Sequence, residues 1–251
     1  MKLTGNTILI TGGGSGIGRA LAMQLHARGN QIIICGRREE RLRQVAEVCP
    51  GMAYIRCDIS SPEDRQALYA YCQTKYPTLN VLVNNGAVQT DCDLMLGSEG
   101  LGYAEKEIDI NLTAPILLTG MFLPELAKRE APAIVNVTSI LGLMPLTRIP
   151  IYCAAKAGFH VYTLVLRKQL ADTPVKVFDV PPPRVETELN PEGRKRAQAA
   201  GTDVAGALMP DEYAAYVIER LGRDELDIYY GEGGRLVRTA PRPVSECSRL
   251  N

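Results

Sequence analysis

The segment from Thr7 to Leu25 constrains this chain more than any other. An apolar run, Ile8-Leu9-Ile10-Thr11, enters Gly12-Gly13-Gly14-Ser15-Gly16-Ile17-Gly18 and leaves as the helix-forming stretch Arg19 to Leu25. A strand that turns through glycines into a helix presents backbone N–H groups at a helix start, where the dipole attracts phosphate and glycine lets a ligand approach the backbone. Gly12, Gly16 and Gly18 are spaced four and then two apart, so the common G-x-G-x-x-G pattern does not apply, although the same tight turn and close helix packing result. A purely structural turn is the other reading at this point. No Gly-Lys-Ser/Thr follows, which argues against P-loop nucleotide hydrolysis.

The rest of the chain repeats the same strand-then-helix rhythm. Strands are predicted over Thr7–Ile10, Gln31–Cys35, Ala53–Cys57, Val81–Val83, Ala133–Val137, Val175–Val180 and Asp227–Tyr230, seven in all, each apolar enough to be covered on both faces. Helical segments are predicted between them at about 17–28, 38–47, 62–75, 104–129, 152–171 and 211–221. This alternation describes an α/β fold: a doubly wound, Rossmann-type, mostly parallel sheet with helices on both faces. No repeat or linker interrupts the 251 residues, so residues 1–251 are expected to form one domain. The stretch 184–209, charged and alanine-rich, lacks a core period and leaves the sixth strand where ligands gather. It is expected to form a lid over substrate, with a surface excursion as the bland alternative.

Charge narrows the partners. Lys plus Arg equals Asp plus Glu at 28 each, so no net field favours nucleic acid or an anionic membrane. No apolar run approaches the roughly 20 residues of a membrane span, and the N-terminus lacks the layout of a secretory signal. Seven cysteines without a C-x-x-C pair read as reduced thiols, and two separated histidines offer no zinc cluster. A cytoplasmic protein acting on a small molecule, without a metal, is the expectation.

At the end of the second predicted strand stands Gly36-Arg37-Arg38, where a chain that binds NAD would place a carboxylate for the ribose 2′-hydroxyl. Glycine leaves room there for a 2′-phosphate, and Arg37 and Arg38 can pair with it, so NADP is expected over NAD. The alternative is that these arginines only decorate a solvated helix start.

Tyr152-Cys153-Ala154-Ala155-Lys156 sets a phenol and an ammonium at i, i+4, on one face of a helix. A cation near tyrosine is expected to lower its pKa from about 10, making it a usable acid and base. Ser139 lies just past the strand Ala133–Val137, where its hydroxyl can bond a developing alkoxide. Each residue alone is commonplace. Together, behind a glycine turn, they suggest carbonyl reduction, with hydride from a cofactor and a proton from Tyr152.

Thr11-Gly12-x-x-x-Gly16-x-Gly18, Asn84-Asn85-Gly86, Asn111, Ser139 and Tyr152-x-x-x-Lys156 resemble the short-chain dehydrogenase/reductase family over nearly the whole chain. The resemblance implies catalytic roles for Asn111, Ser139, Tyr152 and Lys156, with Asn111 completing a water-borne proton relay to Lys156. It implies cofactor contacts from Gly12, Ser15, Gly16, Ile17 and Gly18, from Asp58 and Ile59 beside the adenine, and from Asn85, Gly86 and Ala87. Tyr152 and Lys156, with Pro182, Val185 and Thr187, would face the nicotinamide end. It also implies a homodimer or homotetramer built on paired helices. Two departures stand out: Asn84-Asn85-Gly86-Ala87 replaces Asn-Asn-Ala-Gly, and Pro183 stands where the family commonly has glycine, restricting φ. Asn6–Gly13, Ile33–Arg37 and Val185–Leu189 are further similar to a bacterial subgroup of oxidoreductases encoded with lipoteichoic acid D-alanylation genes. A catalytically silent, cofactor-bound regulatory or scaffold protein is the rival reading; erosion of the Asn-Ser-Tyr-Lys set would mark it, and the set is intact.

Overall fold

The computed structural model describes residues 1–191, 193, 195, 199 and 207–231. Its strands are β1 (Thr7–Thr11), β2 (Gln31–Gly36), β3 (Ala53–Arg56), β4 (Val81–Asn84), β5 (Ala133–Val137) and β6 (Lys176–Val180). They pair in the order β3-β2-β1-β4-β5-β6, every described pairing parallel. Strand order reverses between β1 and β4, and an open parallel sheet leaves a crevice beyond the strand ends at such a point.

Alternation along each strand divides the core in two. Ile8, Ile10, Ile32, Ile34, Val81 and Val83 face α1 (Gly16–His26) and α7 (Pro210–Gly222), packing on Leu21, Leu25, Tyr213 and Val217. Leu9, Ile33, Leu82 and Ile134 face the opposite layer, α3 (Pro62–Lys75), α5 (Ala114–Leu126) and α6 (Pro150–Gln169), through Leu68, Cys72, Phe122 and Leu166. Each such side chain contributes about 1.5–3 kcal/mol by leaving water, and covering both faces is why the strands read as continuous apolar runs. Between β2 and β3 lies α2 (Glu39–Glu47), and α4 (Ala104–Ile108) precedes α5. One polar chain crosses the apolar layer. Asn84 Nδ2 donates to Asn136 Oδ1 at 2.9 Å and to Thr119 Oγ1 at 3.0 Å, while Asn136 Nδ2 donates to Thr163 Oγ1 at 2.9 Å. These bonds fix β4, β5, α5 and α6 in one register just below the strand ends.

The structure corrects two expectations. Among the described residues the sheet has six strands, not seven. The segment predicted as a seventh runs beside β6 but bridges it only at Asp179 and Asp227. That bridge is Asp179 N donating to Leu226 O at 2.8 Å and Ile228 N donating to Asp179 O at 2.9 Å; beyond it the Tyr229 carbonyl accepts from the Tyr216 hydroxyl at 2.6 Å, and no ladder propagates. The helix predicted over 104–129 is broken by a π-helical turn, Asp109–Thr113, where the Ala114 N–H reaches back to Asp109 O. Pro115 accounts for the break. It lacks the N–H that an α-helix would direct at the Asn111 carbonyl four residues earlier, and such single π turns recur at functional sites.

Candidate active site

The glycine turn is held down before it is offered to a ligand. Gly12 and Gly16 have φ of +67° and +52°, a region L side chains rarely adopt. A Cβ on Gly18 would lie 2.4 Å from both Gly12 O and Asn85 Nδ2. Thr11 Oγ1 accepts from the backbone N–H of Asn85 and of Gly86, each at 2.9 Å, and Asn85 Nδ2 donates to Thr11 O at 2.9 Å. The turn and the end of β4 are thus clamped together across the switch point.

Beyond them opens a cleft of about 340 Å³. Of the residues named from sequence, Gly12, Ser15, Ile17, Arg37, Arg38, Asp58, Ile59, Asn85, Gly86, Ala87, Tyr152, Lys156, Pro182 and Thr187 line it. Gly16 and Gly18 are not in its lining: Gly16 faces Thr187, and Gly18 packs on Gly12 and Asn85. Val185 sits away from the cleft wall, bridging to Leu208 and packing on the α1–α7 core. The sequence reading missed Gly14, Arg41, Cys57, Val88, Thr138, Glu188 and Leu189, which also line the cleft. Arg41 had a usable signal, three residues past Arg38 and so on the same helix face. Glu188 had none.

The inner end of the cleft is dry. Tyr152 and Lys156, which line it there, are 4% and 2% exposed, and Asn111 and Ser139, which are not part of its lining, are 1% and 4% exposed. Tyr152 and Lys156 lie on the first two turns of α6, and Lys156 Nζ sits 5.9 Å from the Tyr152 ring centre while donating to Val137 O at 3.0 Å. Burial pushes the phenol up to about 12; the neighbouring Ser139 hydroxyl pulls against this, and Cys153 and Glu107 add to it. This is the reverse of the lowering expected from the i, i+4 cation. Loss of hydration penalises the phenolate more than the Ser139 hydroxyl offsets it. Burial lowers Lys156 to about 8, opposed by Asp179, a fully buried carboxylate that accepts from Thr138 Oγ1 at 2.6 Å and lies 2.5 Å from His160 Nδ1.

Ser139, two residues past β5, caps a 3₁₀ turn, Ile140–Gly142, its Oγ accepting from Leu141 N at 3.1 Å. Asn111 spends its side chain on the segment after β4: Oδ1 accepts from Val88 N at 3.1 Å and Nδ2 donates to Val88 O at 2.8 Å. Its amide therefore positions that wall instead of pointing at Lys156. Asp58 accepts from Ser60 and pairs with Lys106 at 3.2 Å; burial alone would raise its carboxyl, but these partners outweigh it and hold it low. Glu107, one turn before Asn111, is buried, accepts from Thr90 N at 3.1 Å and is pushed up by burial to about 7.

The stretch expected as a lid is pinned at its base, Glu186 N donating to Leu208 O at 2.8 Å and Leu208 N to Arg184 O at 3.1 Å. Much of its middle lies outside the described residues. No helix among the described residues is long and apolar enough to cross a membrane.

Residues 6–198 match the family model described as short chain dehydrogenase. The chain is 42% identical over 237 residues, 94% of its own length and 92% of the relative's, to the uncharacterized oxidoreductase DltE of Bacillus subtilis. Its fold is similar to that of a short chain dehydrogenase/reductase from Burkholderia phymatum in complex with NAD, with a TM-score of 0.83 and 21% identity over 100% of this chain and 96% of that one. It is also similar to a variant of actinorhodin polyketide ketoreductase with NADPH, with a TM-score of 0.80 and 25% identity over 91% of this chain and 97% of that one. With the glycine turn, the switch-point cleft and the buried tyrosine and lysine, these likenesses show that the chain is an oxidoreductase belonging to the short-chain dehydrogenase family.

Proposed function

We propose that the chain is a nicotinamide-dependent oxidoreductase, preferring NADP to NAD, that interconverts a carbonyl and an alcohol on a small molecule. The observation that carries this is one cleft with two chemically distinct ends: a glycine turn and Arg37, Arg38 and Arg41 at one, and dry Tyr152 and Lys156 at the other, with the buried Ser139 hydroxyl beside Tyr152. The residues suit the cofactor. Gly12 and Gly14 bring bare backbone to the cleft wall, and Gly36 leaves the arginine end open. Relatives of this fold bind NAD or NADPH, which supports a nicotinamide; the choice of NADP rests on the missing carboxylate at the end of β2 and the arginines in its place.

Gly12, Ser15, Gly16, Ile17 and Gly18 would hold the pyrophosphate, Arg37 and Arg38, joined by Arg41, the 2′-phosphate, and Asp58 and Ile59 the adenine. Asn85 to Ala87, Lys156, Pro182 and Thr187 would hold the nicotinamide half, with Val185, set back from the cleft wall, supporting the strap behind them. When bound, the cofactor supplies or accepts a hydride at the substrate carbon. Ser139 holds the substrate oxygen. Tyr152, whose phenol keeps its proton throughout the neutral range, donates it to that oxygen, and the ammonium of Lys156 stabilises the phenolate left behind. The Asn111 carbonyl, denied its α-helical partner by Pro115, is the group through which a water-borne proton path to Lys156 would run. The 184–209 stretch serves as the lid. The protein works in the cytoplasm as a homodimer or homotetramer through the exposed apolar residues Leu117 of α5 and Val161 and Val165 of α6.

Tyr152→Phe is expected to keep the fold and the nucleotide affinity while abolishing NADPH oxidation across a panel of aldehydes, ketones and quinones. Full retained turnover would refute the role given to Tyr152. Binding without oxidation by the wild type across that panel would favour a silent regulatory protein.

A further inference from the structure

Glu188 fills the anion-binding end of the cleft from the wrong side. It belongs to the segment leaving β6, yet its carboxylate reaches the opposite wall. Arg38 Nη1 donates to Oε2 at 2.7 Å and Arg41 Nη2 to Oε1 at 3.1 Å, across 150 and 147 residues of chain. The other terminal nitrogen of Arg38 donates to Ser15 Oγ at 2.8 Å. One guanidinium therefore joins the glycine turn, the start of α2 and the strap after β6. Arg37 pairs with no carboxylate among the described residues, and all of these groups line the same cleft as Gly36.

We propose that Glu188 is a specificity-determining residue: a built-in carboxylate competitor for the 2′-phosphate of the adenosine half, which tempers the preference for NADP over NAD. This rests on the reading of the cleft as a nicotinamide-cofactor site. A guanidinium offers the same fork of donors to a carboxylate as to a phosphate, so a 2′-phosphate seated on Arg38 and Arg41 must displace Glu188. A ribose with a free 2′-hydroxyl has no such need. Both arginines hold the Glu188 carboxyl below its ordinary range, Arg38 foremost, so the competitor is ionised at neutral pH. The arginines and the glutamate are each about half exposed, 48–55% by side chain, and such pairs are individually weak. A dianionic phosphate can therefore win. Glu188 sets how much of its binding is surrendered, and its release loosens the tie between the strap and the glycine turn.

The test uses two fragments that carry no nicotinamide, 2′,5′-ADP and 5′-AMP, titrated calorimetrically into the full chain. Glu188→Gln should tighten 2′,5′-ADP by about 3- to 10-fold, the range expected for losing two weak surface ion pairs, and leave 5′-AMP within about 2-fold. In an Arg41→Gln background the gain from Glu188→Gln should shrink, because one of the two contested donors is gone. Equal effects on the two nucleotides, or weaker 2′,5′-ADP binding by Glu188→Gln, overturn the proposal. If Arg37→Gln and Arg41→Gln weaken 2′,5′-ADP while Glu188→Gln changes nothing, the proposal alone falls. If the wild type does not distinguish the two nucleotides and the arginine variants change neither, the cofactor reading of the arginines fails and takes the proposal with it.

Discussion

At the scale of single residues, the dry end of the cleft sets two groups against their ordinary titration ranges. Lys156 at about 8 is charged below that pH and neutral above it. The stabilisation it lends to the Tyr152 phenolate is therefore present at neutral pH and lost on the alkaline side. The kcat/KM for carbonyl reduction should fall as pH rises through about 8, while Tyr152, at about 12, contributes no inflection in that window; a profile flat to pH 10 would contradict the assignment. Glu107 works in the opposite sense. Its folded value of about 7 stands above the ordinary 4.5, so the folded chain keeps a proton that the unfolded chain sheds. The stability this contributes is full below about 4.5 and is lost as pH rises through about 7. Glu107→Gln keeps an acceptor for Thr90 N and removes the titration. It should raise Tm by a few degrees at pH 8, on the scale of about 2–4 °C per kcal/mol for a chain of this size, and leave it unchanged at pH 5.

At the scale of elements, the first βα unit shows how a turn can be demanding for two separate reasons. Gly18 has no room, with Gly12 O and Asn85 Nδ2 at 2.4 Å from where a Cβ would sit. Gly29, which closes the loop into β2, has open space around it but a φ of +79°. Gly18→Ala must push α1 off the end of β1, an overpacking cost of about 1–3 kcal/mol, and should lose both Tm and NADPH affinity. Gly29→Ala carries left-handed strain of about 1–2 kcal/mol and should lose Tm alone, with nucleotide titrations unchanged. The same unit was the most legible part of the sequence, because strand, turn and helix are each written in consecutive residues. The π turn was half legible: Pro115 is visible, but a proline near the start of a helix is tolerated, and only the continuous path from α4 into α5 makes it an interruption.

At the scale of the whole molecule, Leu117, Val161 and Val165 leave an apolar face on α5 and α6 that neither core layer covers. Val161→Glu with Val165→Glu should shift the particle mass in light scattering from dimer or tetramer to monomer, and a monomeric wild type would remove that proposal. The order of strands and helices, the two-faced burial of the sheet and the glycine turn follow from local periodicity and from backbone angles only glycine tolerates, so they are written along the chain. So is the set of Ser139, Tyr152 and Lys156, because β5 and α6 deliver it over a short span. The direction of the Tyr152 shift is a different matter, since it depends on how much water the packed layers exclude around a phenol. The seventh strand shrank to a single bridge, with the Tyr229 carbonyl given to the Tyr216 hydroxyl, a partner that no pattern within that segment announces. Glu188 meets Arg38 and Arg41 only because β2 and β6, strands on opposite halves of a parallel sheet, send their following segments out at the same carboxyl end. Forces that act between near neighbours could be read from the chain; burial and charge pairing between remote segments were decided by the fold that brought those segments together.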